Sequence, residues 1–265
     1  MESNATAVAA APTPSRFNWP EFWVLTGAGI FGFLALLPFL LHLFPAHTKY
    51  PLWVVVSIQL VQTAILIAGA VALGVGLGKR CGLGAPILEA WLAGQRVGKR
   101  IVAILWPAVP IGVVAGLILL GADKYIFAPR IPQLAQLAQT GAEPSRWQGF
   151  FASFYGGISE ELLLRFGLFT LFAWAFGKFS HTEEGLPTPA AFWAANLLAA
   201  LLFGAGHLPA AAALFRPVTT MLVLRTIVLN GFAEIIFGYL YWKRGLESAM
   251  VAHFSGDLIL HVLVG

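Results

Sequence analysis

The stretch LWVVVSIQLVQTAILIAGAVALGVGL, residues 52–77, contains no charged side chain and decides the class of fold. A helix needs about 20 mostly apolar residues to cross the hydrocarbon core of a bilayer. Other long apolar runs extend over approximately residues 22–44, 101–120, 147–176, 190–206, 218–242 and 246–265. These runs predict an all-α fold, a polytopic membrane helix bundle of about seven to eight transmembrane helices. The eighth would come from residues 208–215 or from a re-entrant segment near residues 132–139.

The composition excludes a soluble globular domain. Of the 265 residues, 58% are hydrophobic and 11% are charged, whereas soluble domains average about 45–50% and about 25%. We attribute the net charge of +4 to basic loops that flank membrane spans and not to nucleic-acid binding. The single cysteine, Cys81, excludes an internal disulfide bond. We therefore predict a multi-pass integral protein of the cell (inner) membrane, in contact with the lipid bilayer and without a nucleic-acid partner.

The segment GISEELLLR, residues 157–165, places three charged side chains inside an apolar run. Charged groups within membrane helices are costly and usually face the interior of the bundle. Glu161 and Arg165 are four residues apart, so they share a helix face and can pair. Glu160 points elsewhere and is left free for proton chemistry. The alternative is that all three groups form one charge-balanced structural lock.

Two histidines follow in later runs. Phe203 and His207 share a face at the end of one run, and His253 and Asp257 share a face in the last run. A carboxylate beside a histidine can fix its tautomer, or both can bind one metal ion. His207 lies close to Pro209, so either its helix continues past the proline or a helix is broken there.

Further polar residues occur in the run before the last motif. Arg225 and Glu234 are predicted to pair with other helices or to line a wet cavity. Asn230 is predicted to connect helices through a hydrogen bond.

The three motifs EE-x-x-x-R, F-x-x-x-H and H-x-x-x-N/D, in this order on membrane helices, resemble the CPBP family. This is the CAAX prenyl endopeptidase and bacteriocin-processing family, also called the Abi family. The resemblance covers approximately residues 150–260 and implies an intramembrane endopeptidase that hydrolyses a peptide bond in a membrane-associated peptide or protein. The residues that match the family motifs are Glu160, Glu161, Arg165, Phe203, His207, His253 and Asp257.

The resemblance also implies a catalytic role for four of the matching residues. Glu160 would activate water with help from His207, while His253 and Asp257 would stabilise the oxyanion. The other three motif residues are predicted to give structural support; they are Glu161, Arg165 and Phe203. Composition predicts a flexible tail (residues 1–21), and the apolar runs predict N-terminal transmembrane helices (22–145). The resemblance implies that residues 146–265 form a catalytic transmembrane core of the CPBP type, within a single membrane domain overall.

Asp257 stands where the family more commonly has asparagine, and this leaves the cofactor open. An ionised aspartate cannot donate a hydrogen bond to an oxyanion, but it is a good metal ligand. Two histidines and a carboxylate suit zinc, although the helical HExxH motif is absent. Both mechanisms stay open: glutamate without a cofactor, or one divalent metal such as zinc. The candidate ligands are Glu160, His207, His253 and Asp257.

Two other functions are compatible with the same residues. Intramembrane carboxylates and arginines also relay protons or ions in transporters, although we find no internal inverted repeat of the kind many transporters have. A non-catalytic, immunity-type membrane protein of the same fold could bind a peptide without cleaving it. The intact set of motif residues argues against that loss of activity.

Overall fold

The protein is an all-α membrane helix bundle. The computed structural model describes residues 17–44, 50–139 and 143–263, and in these ranges it contains no β-strand. Most of the predicted tail lies outside the described residues. The helices are α1 (Trp19–Leu43), α2 (Leu52–Leu77), α3 (Pro86–Leu92), α4 (Gly98–Ala122), α5 (Pro132–Gln139), α6 (Arg146–Phe154), α7 (Thr170–Gly177), α8 (Pro189–Gly206), α9 (Leu208–Leu214), α10 (Thr220–Arg244) and α11 (Leu246–Leu258).

Five helical segments of the described chain are long and apolar enough to cross a membrane. They are Trp19–Leu43, Leu52–Cys81, Gly98–Arg130, Pro189–Leu214 and Thr220–Arg244. The fold class is confirmed, but the number is lower than the expected seven to eight. The difference lies in the two segments that carry the motif residues, because their polar side chains reduce the apolar character that a lipid-facing span needs.

One of these two segments, residues 146–177, is the centre of the bundle. It runs from α6 to α7 through two π-helical stretches, Tyr155–Glu160 and Leu162–Phe169. Helices α1, α2, α8 and α11 pack around it. The wider turns of a π-helix change the direction of successive side chains, and such turns are frequent at functional sites. The central helix therefore presents its charged residues to several neighbours at once.

Helix α11, the other segment, is held close to α4. A Cβ atom at Gly112 would meet the backbone carbonyl of Ala252, and one at Gly116 would approach Gly256. The absence of these side chains lets the two backbones come into contact, as is common between membrane helices. This contact fixes the position of α11, which carries the last motif.

The chain continues in helical form past Pro209, but the helix is interrupted at His207, so both features that the sequence offered occur together. Helix α8 ends at Gly206, His207 forms the junction, and α9 follows directly. Proline lacks a backbone N–H and interrupts the hydrogen-bond ladder at this point. His207 therefore lies at the junction of two helices, inside a combined helical segment of 26 residues, Pro189–Leu214.

The prediction for Asn230 is wrong, whereas those for the two charged residues of α10 are confirmed. The amide of Asn230 donates to the carbonyl of Thr226 on its own helix, at 2.7 Å. The connection between helices is made instead by Asn196, which donates to the carbonyl of Ile235 at 3.0 Å.

Candidate active site

Glu160 lies between two histidines that come from different helices. Its Oε1 is 3.8 Å from Nε2 of His207, and its Oε2 is 3.7 Å from Nε2 of His253. The side chains of Glu160 and His207 are 15% and 36% exposed, and that of His253 is 9% exposed. The structure thus brings together three of the predicted residues, and water can reach the carboxylate from the His207 side.

Hydrogen bonds at Nδ1 set the orientation of both rings. Nδ1 of His207 is 3.0 Å from the carbonyl oxygen of Phe203, and Nδ1 of His253 is 2.6 Å from Oε1 of Glu161. Both partners can only accept, so each Nδ1 carries the proton. The Nε2 atoms are therefore directed at Glu160.

Asp257 approaches the same point from α11. Its Oδ1 is 3.7 Å from Nε2 of His253. Gly156 lies against this pair, because a Cβ at that position would overlap Oδ2 of Asp257 and come within 3.0 Å of Nε2 of His253. The sequence leaves Asp257 open as a residue that orients His253, as a metal ligand or as an oxyanion group. The structure places Glu161 on Nδ1 and Asp257 on the Nε2 side.

Arg165 contacts two carboxylates in the completely buried layer beside the histidines. Its Nε is 3.1 Å from Oε2 of Glu161, which confirms the contact expected from their spacing. Its Nη1 forms an ion pair with Glu234, and its Nη2 donates to the Glu234 carbonyl oxygen at 3.4 Å. Glu161 binds both Arg165 and His253, so it connects the buried ion pair to the histidine.

Two aromatic rings complete the surroundings. Phe203 meets the ring of His207 edge-on, with centroids 4.5 Å apart, and Phe237 stacks on His253 with centroids 4.8 Å apart. The Arg165 guanidinium lies 6.0 Å from the centre of Phe203 and 5.6 Å from that of Phe237. Sequence reasoning missed the role of Phe237. Its spacing of three residues from Glu234 on one helix was the signal that could have revealed it.

The predicted metal ligands have suitable chemistry but not a suitable arrangement. Imidazoles and carboxylates are ordinary zinc ligands. Within the described ranges, however, no group of three or more His, Cys, Asp or Glu side chains is placed to hold a metal ion.

The motif-bearing part of the chain matches a known family. Residues 142–259 match the family described as Rce1-like, type II CAAX prenyl endopeptidase. This match supports the assignment of the segment to the CPBP/CAAX protease family. The matched segment is somewhat less than half of the chain and contains every residue of the three motifs. No curated protein and no solved structure gives a significant match. The family is one of membrane peptidases, and the apolar helices agree with an integral membrane protein.

Proposed function

We propose that the protein cleaves a peptide bond in a membrane-associated peptide or protein and that Glu160 activates the attacking water. The observation that carries this proposal is the position of the Glu160 carboxylate, 3.7–3.8 Å from the Nε2 atoms of two histidines. This spacing leaves room for a water molecule at the carboxylate. A general base must lie within hydrogen-bond reach of the proton that it removes, directly or through one water.

In the first step Glu160 accepts a proton from water while the water oxygen attacks the carbonyl carbon of the substrate. Nε2 of His207 accepts a hydrogen bond from the same water and orients it. When the C–N bond breaks, the proton on Glu160 passes to the leaving nitrogen. Glu160 thus serves as base and then as acid and returns to its starting form.

His253 is the candidate for stabilising the negative charge on the substrate oxygen. As an imidazolium it donates through Nδ1 to Glu161 and through Nε2 into the cavity. Preorganised donors of this kind are often the largest single contribution to catalysis of acyl transfer. Asp257 can donate only when it is protonated, and as a carboxylate it would instead hold the Nε2 proton of His253.

Replacing Glu160 by glutamine tests the proposal, because glutamine keeps the shape and removes the base. We expect cleavage of a reporter peptide in detergent to fall about 100- to 10,000-fold, the usual contribution of general acid–base catalysis. Asp123→Asn, a carboxylate replacement away from the site, is the control and should cleave at the wild-type rate. Unchanged cleavage by Glu160→Gln would remove the hydrolase assignment.

The proposal also covers the predicted domain division and the location. Residues 146–265 would form the catalytic core, and residues 22–145 the supporting transmembrane helices. The groups that surround Glu160 all come from residues 146–265; they are His207, His253 and Asp257. We place the protein in the cell (inner) membrane, which fractionation of membranes would test.

A further inference from the structure

Glu234 lies outside the three motifs but is part of the buried layer behind the active site. Its side chain is 1% exposed. Glu234 lies on helix α10 and forms an ion pair with Nη1 of Arg165 on the central helix. Its backbone carbonyl also accepts a hydrogen bond from Nη2 of this arginine. The guanidinium is therefore held by side chain and main chain of one residue.

The contacts continue from Arg165 to the catalytic histidine. Nε of Arg165 is 3.1 Å from Oε2 of Glu161, and Oε1 of Glu161 is 2.6 Å from Nδ1 of His253. Arginine presents its N–H groups in a rigid planar fork, so the position of one carboxylate restricts that of the other. The Arg165 and Glu161 side chains are fully buried, so water cannot replace a lost contact.

Helix α10 also touches His253 directly. Phe237, three residues after Glu234, stacks on the imidazole at an interplanar angle of 23°. Glu234 and Phe237 therefore hold the Arg165–Glu161–His253 row at both of its ends. A displacement of either end would rotate the Nε2 atom that faces Glu160.

From these contacts we infer that Glu234 is a positioning residue for hydrolysis, acting through Arg165 and Glu161 to align His253. The inference rests on the proposed function and adds a residue to its site. The competing view is that Glu234 only ties α10 to the central helix. The chain offers a matched comparison, since Arg225 on the same helix binds Asp123 through contacts of 2.6 and 2.7 Å.

The experiment compares Glu234→Gln with Asp123→Asn. Each variant removes the carboxylate charge from one of two ion pairs between α10 and a neighbouring helix. We expect Glu234→Gln to lower kcat about 10- to 100-fold with KM nearly unchanged, because small misplacements of catalytic groups have effects of this size. Asp123→Asn should keep kcat, whether or not its Tm falls as far as that of Glu234→Gln. Equal kcat values for Glu234→Gln and wild type would overturn the inference, as would equal losses in both variants.

A second readout does not depend on activity. The ring nitrogen signals of His253 in 15N-labelled protein, assigned with His253→Gln, should move in Glu234→Gln and stay in place in Asp123→Asn. Unmoved signals in Glu234→Gln contradict the inference. If Glu234→Gln does not fold, Glu234→Asp keeps the charge but shortens the side chain, and it should shift the same signals. If the wild-type protein cleaves no peptide, the proposed function fails, and these signals still decide whether Glu234 positions His253.

Discussion

His207 and His253 face the same glutamate but are held in different ways. His253 is buried on α11, bonds a carboxylate through Nδ1 and is stacked on Phe237. His207 is 36% exposed, bonds a backbone carbonyl and lies where α8 meets α9. One histidine is fixed by charge and packing, whereas the other stands at an interrupted helix beside water.

The two environments suit the two histidines to different parts of the reaction. A histidine bound to a buried carboxylate is a fixed element of the electrostatic environment, suited to stabilise charge that develops on the substrate. A more exposed histidine can meet the incoming water.

The largest effect should follow removal of Glu161. Glu161→Ala takes away one partner of Arg165 and the hydrogen-bond acceptor of His253. Breaking a buried ion pair typically costs about 3–5 kcal/mol, so the folded yield and Tm in detergent should fall. Glu184→Ala, in an exposed loop, is the control and should behave as wild type. If Glu161→Ala protein keeps its Tm and loses only turnover, the contact with Arg165 does not contribute to stability.

How much of this site could be predicted depends on the distance along the chain. The Glu161–Arg165 contact follows from a spacing of four on one helix. The contact of Glu161 with His253 joins residues 92 positions apart and depends on how closely α11 packs on α4. No local pattern contains that information, so the sequence offers only Asp257, the nearer residue, as a candidate for orienting His253.

The same limit explains the other differences. The apolar runs predicted the helices and the membrane. They did not predict that only five segments of the described chain would be long and apolar enough to cross it. Arg225 was expected to find a partner, yet its identity as Asp123, 102 positions away, could not be predicted. Asn230 was assigned to a neighbouring helix because polar side chains often connect membrane helices. The carbonyl of Thr226, one turn earlier on the same helix, competes as an acceptor. The sequence alone does not tell which of the two acceptors Asn230 uses.

A smaller effect should follow from Gly156→Ala, which disturbs the His253 side alone. The added methyl group would overlap Asp257 and press on Nε2 of His253. We expect kcat to fall about 100-fold, the effect of a displacement near 1 Å, with Tm little changed. Gly69→Ala is the matched control, since a Cβ there would meet no atom within 4 Å. Wild-type kcat in Gly156→Ala would mean that Asp257 and His253 need not keep their present positions.

The smallest effect should come from Asp257→Asn, the replacement that restores the commoner residue of the family. Glu161 already orients His253 through Nδ1, and Asp257 lies 3.7 Å from Nε2. An amide always carries donors, so it can serve the oxyanion without being protonated. We therefore expect Asp257→Asn to keep or raise the rate of peptide cleavage. If Asp257 acts as an anion on His253 or on a metal, the same change should instead cost about 100- to 1,000-fold in rate.

Measuring this variant and the wild type with and without a tight chelator separates the two mechanisms left open by the sequence. Full wild-type activity in chelator would refute the metal mechanism. Loss of wild-type activity on chelation, restored by added zinc, would refute the glutamate-only mechanism. In the second case Asp257→Asn should also need more zinc for half-maximal activity, because a carboxylate ligand has been replaced by a neutral amide. In the first case the zinc requirement is absent from both proteins, and the rates differ only through the hydrogen bond to the oxyanion.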